Sequence, residues 1–163
     1  MTPTYSTLIS IEQLSSLQAA TAPLVLLDCS FDLADPAAGE RAHAASHLPG
    51  SFYAHLDRDL AGAKTGRNGR HPLPAREAFA ATVGRWGIAP GTQVVCFDAQ
   101  GLPYAARAWW MLHWLGHRAA AVLDGGLAAW TGSGRPLSTE PASTTDRGPY
   151  PASSDTMPTV SAN

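Results

Sequence analysis

Two cysteines and six histidines are the side chains of this sequence best suited to nucleophilic, proton-transfer or metal chemistry, and their spacing limits which of these is open. Cys29 and Cys96 lie far apart and neither belongs to a CxxC pair, so no zinc or disulfide framework is spelled out. Cys96 sits within the apolar run Gln93-Val94-Val95-Cys96-Phe97. A thiol there behaves as a small hydrophobe, whereas a reactive thiol needs an exposed, electropositive setting. A phosphatase attacking through Cys96 would need an arginine where Leu102 stands, and Arg107 is too far along the chain to replace it. Cys29 follows another apolar run and is again read as packing. His113 and His117 have the i, i+4 spacing of helical metal ligands. Gly116 intervenes and no third ligand is evident, so a capping or solvated role is expected. Arg67, Arg70 and His71 either guide an anionic substrate towards a cleft or decorate a solvated loop.

The elements that must position these residues follow from patterning. Ser10 and Gln13 have the spacing of a capping box, which predicts a helix through about Ala20. Leu24-Val25-Leu26-Leu27, ending at Asp28, reads as a strand covered on both faces. Residues 36–46 are alanine-rich and predicted helical, stopping at the turn His47-Leu48-Pro49-Gly50. Ser51-Phe52-Tyr53 is a short strand candidate, and 61–74 is a loop rich in glycine, proline and basic residues. Phe79, Val83 and Trp86 mark one face of a helix; the second buried strand, 93–97, ends at Asp98. Pro103 opens the next helix, with an apolar stripe through Tyr104, Ala108, Met111, Leu112 and Leu115 up to Gly116. Trp109 and Trp110 are adjacent and so point in different directions, one expected in the core and the other against a partner or the tail. Ala119–Leu123 is a third apolar run, followed by Asp124-Gly125-Gly126 and a brief helix holding Leu127 and Trp130. Strands alternating with helices predict an α/β fold with a parallel sheet covered on both faces.

The totals agree with one domain and a tail. The chain has 163 residues, 45% of them hydrophobic, and a formal net charge of −2 without blocks of like charge, so neither nucleic acid nor an anionic membrane is an expected partner. No apolar run approaches the roughly 20 residues of a membrane helix, and the start has no secretory pattern. With two unpaired cysteines, a reducing cytoplasm is the expected location. After Pro136 the composition turns to Ser, Thr, Pro, Asp and Gly without periodicity, so 138–163 is read as a linker or mobile tail leading to something further, and 6–137 as the domain.

Four segments, in order, resemble the rhodanese and 3-mercaptopyruvate sulfurtransferase family. They are Leu26-Leu27-Asp28-Cys29-Ser30, the turn Ser46-His47-Leu48-Pro49-Gly50-Ser51, Val94-Val95-Cys96-Phe97-Asp98 leading into Arg107-Ala108-Trp109-Trp110-Met111-Leu112, and Val122-Leu123-Asp124-Gly125-Gly126-Leu127-Ala128-Ala129-Trp130. The tryptophan pair is similar to the first domain of two-domain members. The resemblance implies a five-stranded parallel sheet with helices on both faces. It also implies transfer of sulfane sulfur from thiosulfate or 3-mercaptopyruvate, through a cysteine persulfide, to cyanide or a thiol. The cysteine would stand at the mouth of a strand-to-helix loop, where amides and the helix N-terminus converge and lower a thiol's pKa.

At that position this chain carries Asp98, heading Asp98-Ala99-Gln100-Gly101-Leu102-Pro103-Tyr104, so the loop is degenerate and the active cysteine is expected in a second rhodanese domain packed against this one. The family's turn histidine matches His47, implied to share proton handling with an upstream aspartate, Asp35, although Asp32 is close by. Binding of the turn's own backbone is the other role open to His47. Arg107 is expected to reach an acidic partner across the domain boundary. No metal or organic cofactor is implied. A free-standing inactive domain with a binding or regulatory role is the alternative reading, and catalysis by Cys96 is set aside on burial.

Overall fold

The computed structural model describes residues 3–154 and 157–160. Its elements in chain order are β1 (Leu8–Ile9), α1 (Ile11–Ala19), β2 (Leu24–Asp28), α2 (Ala38–Ala45), β3 (Ser51–Tyr53), α3 (Leu56–Asp59), α4 (Arg76–Arg85), β4 (Gln93–Phe97), α5 (Pro103–Trp114), β5 (Ala120–Leu123) and α6 (Gly126–Gly132). All pairings in the sheet are parallel, in the order β1-β5-β4-β2-β3. The sheet is the predicted five-stranded one.

The apolar runs are continuous because the two faces of each strand meet different cores. Val25, Leu27, Val94, Cys96, Ala120 and Val122 face α3, α4 and α5, where Phe79, Val83, Met111 and Leu112 fill the layer. Leu26, Val95, Phe97, Ala121 and Leu123 face α1 and α6, packed on Leu14, Leu17 and Trp130. This is the period-2 alternation of a strand with no wet side. The capping box forms: the Gln13 amide N–H donates to Ser10 Oγ at 3.2 Å and the Ser10 N–H to Gln13 Oε1 at 2.8 Å.

Four features differ from expectation. β1 and α3 have too few residues for any periodicity to register; β1 exists because Val122 and Asp124 N–H donate to Thr7 and Ile9 carbonyls. Neither Trp109 nor Trp110 enters the core. Both are half-buried; Trp109 Nε1 donates to the Ser6 carbonyl at 2.8 Å, Trp110 stacks on Trp114 at 6.0 Å, and Trp114 is the buried one. The Arg107 guanidinium is engaged within the domain: it donates to the carbonyls of Leu60 at 2.8 Å and His71 at 3.0 Å, pinning the ends of the 61–74 loop.

The tail is the fourth. Instead of leaving the domain it runs along it, to Ser153 at least. The Arg147, Tyr150 and Ser153 amides donate to carbonyls of Gly84, Ala80 and Leu115, and the Tyr150 side chain is buried. Gly84 on α4 makes room for it, since a Cβ there would lie 1.8 Å from the Gly148 carbonyl oxygen. Polar composition had suggested freedom; backbone hydrogen bonding to carbonyls of α4 and of the end of α5 supplies the order instead.

Candidate active site

β2 and β4 are neighbours, but the chain continues from β2 outward to β3 and from β4 outward to β5 on the other side. The crevice at their carboxyl ends is therefore a switch point, where open α/β sheets hold ligands. Three loops meet there: Asp28–Phe31 after β2, Asp98–Leu102 after β4 and Asp124–Gly126 after β5.

The loop after β4 has the geometry of an anion cradle, and it is already full. The Asp98 carboxylate is 1% exposed. Its Oδ1 accepts from the Gln100 and Leu102 amides at 2.9 and 2.8 Å, and its Oδ2 from Tyr104 and Ala105 at 3.0 and 2.9 Å. The last two amides open α5, so the helix dipole and the N–H groups act together on one negative group. Leu102 is held at φ 80°, left-handed backbone that costs a side-chain-bearing residue about 1–2 kcal/mol. The Leu102–Asp98 bond offsets part of that strain.

The other loops are tied to this one. Ser30 Oγ donates to Asp28 Oδ1 at 2.6 Å and accepts from the Ala99 amide at 3.0 Å; the Phe31 amide donates to Gln100 Oε1 at 3.2 Å. Leu127 N–H donates to the Asp98 carbonyl at 3.1 Å. Beside them lies a cavity of about 190 Å³ lined by Asp28, Ser30, Asp32, His43, Gln100 and Leu127, among others. Asp28 is almost fully buried, and desolvation, opposed by the Ser30 hydrogen bonds, holds its carboxyl above the usual range.

Both cysteines are free thiols sealed in the core beneath this site, each 0% exposed. The adjoining Cys96 and then burial push the Cys29 thiol up, the opposite of what a sulfur nucleophile needs.

His47 is 3% exposed and faces carbonyls at both ring nitrogens: Nδ1 lies 2.7 Å from the His43 oxygen and Nε2 2.8 Å from the Glu140 oxygen. Its backbone exchanges hydrogen bonds with Ser138, and its ring stacks on His43 at 4.3 Å. Asp35 stands at the other end of α2, exposed and paired with Arg41 at 2.5 Å. That guanidinium holds the Asp35 carboxyl below the usual range. The structure therefore does not bring Asp35 to His47, and Asp32 accepts the Ala34 and Asp35 amides instead. Eight helical residues, roughly 12 Å, separate the two ends.

The 61–74 loop is organised by Asn68, which bonds Thr65 and Ala63, and by Asp57, which meets Lys64 and His71 at 3.1 Å each. Arg67 and Arg70 stay exposed. His113 and His117 diverge: His113 Nε2 lies 3.2 Å from the Ala120 oxygen, and His117 Nδ1 lies 3.0 Å from the Tyr150 hydroxyl. Among the described residues no group of three His, Cys, Asp or Glu side chains is arranged to hold a metal. Sequence reasoning did not single out Ser30, His43 or Gln100. Only Asp28, a carboxylate closing an apolar run with serine two residues on, hinted at the crevice.

The model of the rhodanese-like domain matches residues 10–133. The chain is 44% identical over 132 residues to a probable 3-mercaptopyruvate sulfurtransferase of Pseudomonas aeruginosa, covering 80% of this chain and 46% of that protein. It is 41% identical over 121 residues to the human 3-mercaptopyruvate sulfurtransferase, covering 71% and 39%. A solved 3-mercaptopyruvate sulfurtransferase from Leishmania major superposes with a TM-score of 0.78 at 25% identity, over 90% of this chain and 40% of that one. The chain thus spans under half the length of each of these proteins. From the sheet order, the loop after β4 and these matches, the chain belongs to the rhodanese-like domain family.

Proposed function

We propose that this chain is the amino-terminal half of a two-domain sulfurtransferase, contributing a wall of the active cleft but not the sulfur-carrying thiol. The observation that carries the reading is the Asp98 carboxylate, seated on four amides where a persulfide cysteine would otherwise be held. A carboxylate has no free electron pair on sulfur to attack a sulfane bond, and the two thiols present are buried. Relatives named sulfurtransferases, of which this chain covers only 46% and 39%, support the same reading.

In the intact protein, a thiolate of the second domain attacks the outer sulfur of thiosulfate, releasing sulfite and leaving a persulfide. With 3-mercaptopyruvate the leaving group is pyruvate, which takes up a proton at carbon. Cyanide or a thiolate then attacks the terminal sulfur and regenerates the cysteine thiolate. His47 would assist from the cleft wall, with Asp35 acting on it only after the α2 region rearranges. Exposed Arg67 and Arg70 would draw in the anionic donor. The expected setting is the cytoplasm.

The test is a thiocyanate assay from thiosulfate and a pyruvate assay from 3-mercaptopyruvate on the purified 163-residue chain of verified mass. No turnover by this chain, with turnover by a longer product of the same gene, is the expected result. Turnover at the 163-residue mass that Cys96→Ser abolishes would overturn it. The tail laid along its own domain favours a second reading, a free-standing binding domain; a gene ending at this chain, with no turnover, would point there.

A further inference from the structure

We propose that the switch-point cavity between the β2 and β4 loops is a binding site for a small organic ammonium ion on a short carbon chain. The inference does not depend on the sulfurtransferase reading.

The cavity is built around one incompletely used buried carboxylate. Both Ser30 bonds go to Asp28 Oδ1, and among the described residues no protein hydrogen bond reaches Oδ2. That oxygen is not sealed away either. Among the described residues, the sealed side-chain atoms without a hydrogen-bond partner are His71 Nε2, Arg76 Nε and His117 Nε2. Asp28 is only 3% exposed and lines the cavity, so Oδ2 is reached through it.

The electrostatics select the sign of the ligand. Three helix N-termini adjoin the cavity: those of α5 and α2 each have a carboxylate, and at that of α6 the Leu127 amide is taken by the Asp98 carbonyl. Asp98 takes the amides that open α5, and ahead of α2 the Asp35 carboxylate accepts from the Ala37 amide while its backbone carbonyl accepts from Ala38. Asp28 and Asp32 are left over, and no lysine or arginine lines the cavity among the described residues. His43, the remaining titratable group on the wall, is pushed towards its neutral form by burial, against the pull of Asp28. An anion such as thiosulfate meets two carboxylates here; an ammonium meets a desolvated acceptor that lacks a donor. Size narrows the choice further. At about 190 Å³ the cavity is below the range of pockets for larger ligands. Ala38, Ala42 and Leu127 would pack a few methylenes, while Ser46 and Gln100 would meet a terminal hydroxyl or thiol.

The experiment titrates the ¹⁵N-labelled chain with ethanolammonium chloride, using sodium chloride and sodium thiosulfate at matched ionic strength as controls. Saturable shifts of the Ser30, Ala99 and Gln100 amides with ethanolammonium alone are expected. Asp28→Asn should weaken binding about tenfold or more. Ala42→Leu should do the same by filling the mouth, and Ala42 is exposed enough for this variant to fold even if Asp28→Asn does not. Absence of saturation, equal shifts with sodium chloride, saturation by thiosulfate at these amides, or undiminished affinity in a folded variant would each overturn the proposal.

Discussion

Asp98 holds its loop by four charge-assisted hydrogen bonds, so its removal should be felt as stability. Asp98→Ala leaves four amides without their acceptor and is expected to cost about 3–5 kcal/mol in urea unfolding. Asp98→Asn retains one acceptor oxygen and turns an amide donor towards the other pair, for a loss of about 2 kcal/mol. Similar stability of both variants and the parent would mean that water or a shifted loop satisfies the cradle. His117 contributes to the pH dependence, as does His43, whose imidazole is also pushed down by burial. Burial holds the His117 imidazole below the ordinary 6.5, so the unfolded chain binds the proton first and stability declines as pH falls through that value. His117→Gln should flatten the decline in urea midpoint between about pH 7.5 and 5.5. The raised carboxyls of Asp28 and Asp59 work in the opposite direction, because the folded state keeps their protons longer, but they are common to both proteins and cancel in the comparison.

Among the elements, the segment 138–153 is held by hydrogen bonds spread along its length and by one aromatic anchor. Tyr150→Ala should cost about 2–3 kcal/mol and raise amide exchange at Arg147, Tyr150 and Ser153, while β4 amides stay protected. Unchanged exchange at those three amides would show that the anchor is not what holds the segment. A glycine pair tests the same contact. Gly84→Ala drives a methyl into the Gly148 carbonyl and should destabilise by about 2 kcal/mol. Gly132→Ala, with nothing within 4 Å at the end of α6, should be neutral or gain up to about 1 kcal/mol. If the two variants melt alike, the close approach is relieved at no cost.

Over the whole molecule, the sheet and its helices were legible because burial on both faces writes itself as unbroken apolar runs, and glycine and proline mark where they stop. β1 was hidden, since two residues cannot show a period and its register comes from β5. The Asp98 loop was legible by resemblance, but its four bonds were not. They depend on where backbone amides point after β4, a geometry no side-chain pattern encodes. His47 and Asp35 looked like a pair at a separation of twelve residues. The intervening α2 holds them apart, so each found a nearer partner, Arg41 for one and the Glu140 carbonyl for the other. The tail misled most, because its order comes from Gly84, Ala80 and Leu115, distant in sequence.

That pinned segment inverts the usual expectation for protease attack. A serine protease must draw a stretch of backbone into its own cleft, and a segment whose amides are already committed resists being drawn. By composition, the serine- and proline-rich tail is the place to be cut. Yet Arg147 is fastened through Nε to the Gly87 carbonyl and through its amide to Gly84, while Arg67 and Arg70 stand exposed in a loop. Brief trypsin treatment should therefore nick after Arg67 or Arg70 well before Arg147, and Tyr150→Ala should reverse that order.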